Sequence, residues 1–282
     1  MRESQGQGVV PQLRCATAAL ARCDTPAVMA APTLLQRTQG NVRLITLNRP
    51  ERRNALNAQG WSELAAALQD AQEDAVIRVV VLTGAGTAFC AGQDLSEMTA
   101  LPAPDTPHPF ALCMDVLCRF DKVLIAAVNG VGVGGGLTML LHCDFVFMSQ
   151  AARLKAPFVQ LGVVPEAGSS YLLPLICGHR GAAEILYGAD WIAADRALAL
   201  GLATAVCDPE ALLPAAMARA DHIAGHAPQS LRHTKRLVLA TRAAQLDAAR
   251  AREDEAFQVR VGSPENIEAV TAFFERRKPD FG

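Results

Sequence analysis

Between Val123 and Asp144 the chain reads VLIAAVNGVGVGGGLTMLLHCD, and this stretch leaves few folds open to it. Its first six residues are apolar and partly β-branched, without alternation, the pattern of a strand buried on both faces. Glycines follow at 130, 132, 134, 135 and 136, where bare backbone passes close to a neighbour or takes up positive φ. Leu137, Met139, Leu140 and Leu141 then read as the first buried turns of a helix. A helix opening at a glycine triplet aims unpaired N–H groups and the positive end of its dipole into the space ahead of it, which suits an anion. Two plainer explanations compete. The run from Val123 to Leu141 passes a hydropathy window for a membrane span, although the glycines and Asn129 suit a packed turn better. The glycines alone fit close helix–strand packing without a ligand equally well.

A chain of 282 residues that is 51% hydrophobic can bury a substantial core, as one large domain or one with a smaller appendage. A net charge of -2 and a pI near 6.3 give no reason to expect a nucleic-acid surface, so an anionic ligand must be held by local charges. The eight cysteines form no C-x-x-C and sit mostly in apolar surroundings. They read as reduced core residues of a protein in a reducing compartment, the cytoplasm, and not as disulfides or metal ligands. Residues 1–33 lack sustained periodicity apart from a possible short helix over Leu13–Arg22, and are expected to form a loosely ordered tail. Arg2, Arg14 and Arg22 suggest a transit peptide, Glu3 and Asp24 argue against one, and Met29 is an alternative start.

Along the chain, Val42–Leu47 is a short strand closed by Pro50. Ala58–Glu73 carries Trp61, Leu64, Leu68 and Ala71 at helical spacing. Val79–Leu82 is a buried strand running into a second glycine-punctuated turn, TGAGTAFCAGQDL. Prolines 102, 104, 107 and 109 make Ser96–Phe110 an irregular loop. Phe145–Met148 is a strand, and Ala156–Ser170 a loop plus helix start with Pro165 near the first helical position. From Arg180 onward the pattern is helical: Ala182–Tyr187, Ala194–Leu200, Ala211–Ile223, Gln229–Val259 and Pro264–Arg277. His142, in an apolar run, reads as a satisfied core histidine. None of the histidines has ligand spacing, and no metal is implied.

Four segments in order, ITLNRPERRNALN, LTGAGTAFCAGQDL, AAVNGVGVGGGL and LGVVPEAGSS, resemble the crotonase, or enoyl-CoA hydratase/isomerase, family. The resemblance implies an α/β spiral of ββα repeats over 34–225, a helical trimerisation region over 226–282, a homotrimer or dimer of trimers, and an acyl-CoA thioester as substrate. Coenzyme A would arrive with that substrate, and no prosthetic group, nucleic-acid partner or membrane is implied.

By the same resemblance the N–H groups of Gln93 and Gly135 form an oxyanion hole, the arrangement needed when chemistry beside a thioester places charge on the carbonyl oxygen. Glu166 matches the catalytic carboxylate of the Δ3,Δ2-enoyl-CoA isomerase branch; on the residues alone it is equally a first-turn acidic residue at a helix N-terminus. The positions where hydratases of the family carry two glutamates are occupied by Thr138 and Phe158. Neither is a general base, which favours isomerisation over hydration. Arg52 and Arg53 can meet the phosphates of coenzyme A. Backbone at Ala55, Leu56, Ala91, Asp94 and Leu95 would surround the adenine, and Phe274 and Lys278 would reach CoA from the C-terminal end. Val131, Gly134, Thr138, Phe158 and Leu161 would line the acyl pocket. The primary expectation is thus a Δ3 to Δ2-enoyl-CoA isomerase. A 2-enoyl-CoA hydratase and a non-catalytic acyl-CoA-binding scaffold are the alternatives.

Overall fold

The computed structural model describes residues 32–97 and 108–282; the expectations for the N-terminal tail and for most of the Ser96–Phe110 loop lie outside the described residues. Strands β1 (Leu34–Gln39) and β2 (Val42–Leu47) form an antiparallel pair. A 3-10 turn over Pro50–Arg52 leads to helix α1 (Ala58–Glu73), where Asn57 Oδ1 accepts the Gly60 N–H at 2.9 Å. Such a cap supplies one of the orphan N–H groups with an acceptor and contributes about 1 kcal/mol. Trp61, Leu64, Leu68 and Ala71 are buried, as their spacing predicts.

Three coils of similar build follow. The first holds β3 (Val79–Gly84), β4 (Ala88–Cys90) and α2 (Pro109–Arg119). The second holds β5 (Val123–Val128), β6 (Val131–Val133) and the single turn α3 (Gly135–Thr138). The third holds β7 (Phe145–Ser149), β8 (Arg153–Lys155) and α4 (Ser169–Ala183). Each coil gives one strand to each of two sheets. After β9 (Ile192–Ala193), α5 (Ala194–Ala199), β10 (Ala205–Cys207) and α6 (Pro209–Ala224), the larger sheet runs β1-β2-β3-β5-β7-β10 and the smaller β4-β6-β8-β9. From β2 to β10 the larger sheet is parallel, with Val79 beside Val123 and Ile125 beside Phe145.

The unbroken apolar runs have a direct cause. Every residue of β3 and of β5 is buried, because both faces are covered. Val80, Leu82, Leu124 and Ala126 pack toward Trp61, Leu64 and Phe89, while Val79, Val81 and Ile125 meet Leu212, Ala216 and Ala220 of α6. Each buried aliphatic side chain is worth roughly 1.5–3 kcal/mol over exposure. The Val123–Leu141 run is thereby divided among two strands and a short helix, and among the described residues no helix is long and apolar enough to cross a membrane.

Several expectations are corrected. Pro165 is not a first helical residue: α4 begins at Ser169, after Ala167 (φ 61°) and Gly168 (φ 75°) have turned the chain through left-handed backbone. The segment after the glycine triplet is one α-turn continued by a 3-10 turn over Met139–His142, too short for a strong dipole. Phe110 is already in α2, with Pro109 in its first turn. Gly178 (φ 68°, ψ 167°) kinks α4, and Glu184–Gly188 is a π-type turn rather than part of a separate helix over Ala182–Tyr187. The short strands β9 and β10 interrupt what reads as purely helical sequence. Gln229–Val259 divides into α7 (Pro228–Ala240) and α8 (Ala243–Arg260), followed by α9 (Pro264–Glu275). No Gly or Pro marks that break. It separates two differently anchored helices, α7 held by Lys235–Asp144 (2.7 Å) and Arg232–Asp121 (2.8 Å), α8 by Glu253 against the start of α4.

Candidate active site

The turn leaving each coil carries one of the sequence-predicted groups: Gln93 after β4, Gly135 after β6, Glu166 after β8. The first two turns abut. Gly92 has φ +83°, and a Cβ built on it would lie 2.5 Å from Val133 O and 3.2 Å from Gly135 N, so only glycine fits between them. Neither the Gln93 N–H nor the Gly135 N–H has a protein acceptor among the described residues. Two free donors therefore sit on adjoining turns.

Glu166 completes the cluster. A Cβ on Gly135 would stand 3.6 Å from Glu166 Oε1 and 3.1 Å from the Trp61 ring, which places the carboxyl and the indole on either side of that glycine. Glu166 is half-buried; its carbonyl accepts the Ser169 N–H at 3.0 Å, while its carboxyl has no hydrogen-bond or ion-pair partner among the described residues. Burial pushes its carboxyl up to about 8, with the charges of Glu253 and Asp254 adding to the effect. The task of satisfying the N-terminus of α4 is performed by another residue: the Glu253 carboxylate accepts the Gly168 N–H at 2.6 Å and the Ser170 N–H at 2.8 Å. Glu166 is left for other work.

His142 is a satisfied core histidine, as expected. Its Nε2–H donates to Ala167 O at 3.0 Å, Nδ1 faces Cys118 Sγ at 3.8 Å, and burial pushes it down to about 4, so the ring is neutral. That bond ties the residue after Glu166, in left-handed backbone that alanine adopts only at a cost.

The Arg52–Leu56 turn lies along the Ala91–Leu95 turn. Ala91 N–H donates to Arg53 O (3.0 Å), Leu56 N–H to Gly92 O (2.8 Å) and Asp94 N–H to Leu56 O (2.9 Å). Arg52 and Arg53 are exposed beside this seam, and Ala55 and Leu56 are buried in it. Asp94 is itself buried. Burial alone would raise its carboxyl, but bonds from the Ser96 hydroxyl and N–H and from Arg49 (3.0 Å) hold it below the usual carboxylate range. Its side chain secures the loop.

Of the expected pocket residues, Thr138 and Phe158 are buried, and the Thr138 hydroxyl has no partner among the described residues. Leu161 is half-buried, and its carbonyl accepts from Asn266 of α9 at 2.7 Å. Val131 and Gly134 are half-exposed on and after β6. Phe274, near the end of α9, and Lys278, just beyond it, are both exposed. A separate cleft between α1 and α7 is lined by Arg78, Lys122 and Arg232. Those cations already serve Ala224 O, the carbonyls of Ala71 and Asp74, and Asp121, which leaves none for an anion.

Sequence reasoning missed two residues. Trp61 donates its Nε1–H to Gln93 Oε1 at 2.7 Å while its ring borders Gly135, yet its spacing announces only a core position. Glu253 sits in the run Arg252–Glu255, which reads as a solvated helix face, although Glu253 alone of the four is buried.

Comparison with known proteins fits this geometry. The family model for enoyl-CoA hydratase/isomerase matches residues 37–282. The chain belongs to the enoyl-CoA hydratase/isomerase family. A short-chain-enoyl-CoA hydratase of Clostridium acetobutylicum is 34% identical, over 85% of this chain and 94% of its own. A 1,2-epoxyphenylacetyl-CoA isomerase of Escherichia coli is 32% identical, over 88% and 97%. The crystal structure of an enoyl-CoA hydratase/isomerase from Pseudoalteromonas atlantica superposes with a TM-score of 0.85 at 36% identity, covering 89% of this chain and all of the other. The protein is thus a crotonase-fold enzyme of this family acting on CoA thioesters.

Proposed function

We propose that the protein is a Δ3,Δ2-enoyl-CoA isomerase in which Glu166 moves the proton. The observation that carries this reading is the single unpartnered carboxyl beside Gly135, with Thr138 and Phe158 where a hydratase of the family carries glutamates. In its ionised form Glu166 takes a proton from C2 of a 3-enoyl thioester. The C2–H electron pair moves into the C1–C2 bond, the carbonyl oxygen becomes an oxyanion, and the Gln93 and Gly135 N–H groups receive that charge. Fixed donors of this kind are worth several kcal/mol in a dry site. Glu166 then returns the proton to C4, the double bond settles between C2 and C3, and no water is consumed. A base whose pKa lies near the working pH suits both halves of such a transfer.

Arg52 and Arg53 would hold the phosphates of the CoA moiety, with the Ala55–Leu56 and Ala91–Leu95 backbone around its adenine. Exposed Leu237, Val238, Val259, Phe273 and Phe274 on the C-terminal helices support a homotrimer or dimer of trimers, with Phe274 and Lys278 serving a neighbouring subunit's CoA. Hydration is the second reading, favoured by the name of the Clostridium relative. Absorbance of the conjugated thioester separates the two: isomerisation of 3-enoyl-CoA creates it, hydration of 2-enoyl-CoA removes it. Loss of absorbance from 2-enoyl-CoA with no gain of absorbance from 3-enoyl-CoA overturns the isomerase reading.

A further inference from the structure

Glu253 lies in the middle of α8, in the C-terminal helical region, and is only 6% exposed. A buried carboxylate is costly unless its charge is met, and among the described residues no cation pairs with it. Its two oxygens are spent instead on two backbone amides, Gly168 N–H at 2.6 Å and Ser170 N–H at 2.8 Å. Those amides stand immediately behind Glu166, on the far side of the left-handed pair Ala167–Gly168. Leu246 of the same helix closes on this turn so tightly that a Cβ on Gly168 would meet its Cδ1 at 2.1 Å. From the other side, His142 holds Ala167 O. The strained turn is thus gripped from two elements, by a neutral histidine and by a carboxylate.

We propose that Glu253 is a positioning residue for Glu166: by clamping the Gly168 and Ser170 amides it fixes the direction of the Glu166 carboxyl toward Gly135. The inference rests on Glu166 being the proton shuttle. Other groups bear on the same site. Asp254, on α8, adds negative charge, and Arg250, whose Cγ would lie 3.4 Å from a Gly168 Cβ, acts to lower the Asp254 carboxyl. Arg250 is engaged by Asp115 of α2 at 2.8 Å, and His142 is neutral across the working range. The clamping carboxylate also brings its own charge to this turn, the larger of the two like-charge effects on Glu166. A glutamine removes the charge together with one of the two acceptors, whereas an aspartate keeps the charge but shortens the reach, so the limb reports the charge and the aspartate plateau reports the clamp.

The test is the pH profile of isomerisation of a 3-enoyl-CoA by wild type, Glu253→Gln, Glu253→Asp and Glu166→Gln. Glu253→Gln is expected to move the ascending limb downward by roughly one pH unit, as loss of a close like charge does. Glu253→Asp is expected to leave the limb in place and to lower the plateau kcat about tenfold, through misdirection of the carboxyl. Glu166→Gln is expected to abolish turnover. Coincident limbs for Glu253→Gln and wild type, with Glu166→Gln inactive, overturn the charge role; a wild-type plateau for Glu253→Asp overturns the clamp. Should Glu253→Gln not fold, the Glu253→Asp plateau still decides the clamp. An active Glu166→Gln protein overturns the parent reading.

Discussion

The Trp61 indole N–H donates to the Gln93 side-chain oxygen at 2.7 Å, so a residue of α1 governs a side chain on the turn that follows β4. The same ring borders Gly135, and Phe110 stacks edge-on against it at 5.0 Å. One aromatic side chain therefore borders both donor-bearing turns. Replacing it with phenylalanine keeps most of the packing and deletes the bond. Complete loss of one oxyanion donor costs about 10²–10³ in kcat. Trp61→Phe, which loosens a donor without removing it, is expected to lower kcat roughly tenfold with little change in KM, measured by steady-state kinetics at matched thermal stability.

Activity should rise with pH. As the proposed base, Glu166 must be ionised to take the first proton, and its carboxyl is pushed up to about 8 by burial and then by Glu253 and Asp254. kcat/KM for a 3-enoyl-CoA is expected to climb toward a plateau above that value, following the free enzyme's essential base. A flat profile across the range would remove Glu166 from the role.

The same carboxyl shapes stability, in the opposite sense. Its folded pKa is raised above the ordinary 4.5, so its contribution is fully present below that value and is lost as pH rises through about 8. Glu166→Gln, which cannot ionise, is expected to match wild type near pH 4 and to exceed it by a few kcal/mol above pH 8. Chemical denaturation at the two pH values measures the difference.

Neighbouring glycines should fail differently. A Cβ on Gly136 would fall 2.1 Å from Cys90 O, a clash with backbone that cannot yield, so Gly136→Ala is expected to lose several kcal/mol or not fold. On Gly135 the nearest atoms are the Trp61 ring at 3.1 Å, which can shift slightly. Gly135→Ala is expected to fold with a near-normal melting temperature and to lose most of its turnover, because the methyl enters the space beside Glu166.

Arg52 and Arg53 are exposed and tied to no acidic partner among the described residues. Alanine at either is expected to raise KM for the CoA thioester about tenfold at low salt, less at high salt, with kcat unchanged, the mark of binding shared by ground and transition states.

The strands around the glycine turns were legible in the sequence because burial on both faces of β3 and β5 enforces unbroken apolar runs, and the turns because a clash such as that of Gly136 with Cys90 O tolerates no side chain. Gln93, Gly135 and Glu166 were legible only through the order of four short motifs. Their meeting is made by strand pairing between distant positions, Ala88 beside Val131 and Gly132 beside Leu154, which no local pattern encodes. Trp61 was hidden because a buried indole at helical spacing looks the same whether or not its N–H has a task. Glu253 was hidden because three exposed charged neighbours disguise the one that turns inward, and the break between α7 and α8 because competing anchors set it, with no glycine or proline at the bend.

The bond from Glu253 to Gly168 spans 85 residues and runs backward along the chain. During synthesis, which proceeds from the N-terminus, the three coils emerge and can stack before α8 exists. The turn bearing Glu166 must wait for α8 to dock before it is locked, so a nascent or C-terminally clipped chain holds a complete sheet and an unset Glu166. Loss of the last helices should therefore silence the enzyme well before it unravels the fold, making turnover a more sensitive gauge of C-terminal integrity than any spectroscopic measure of secondary structure.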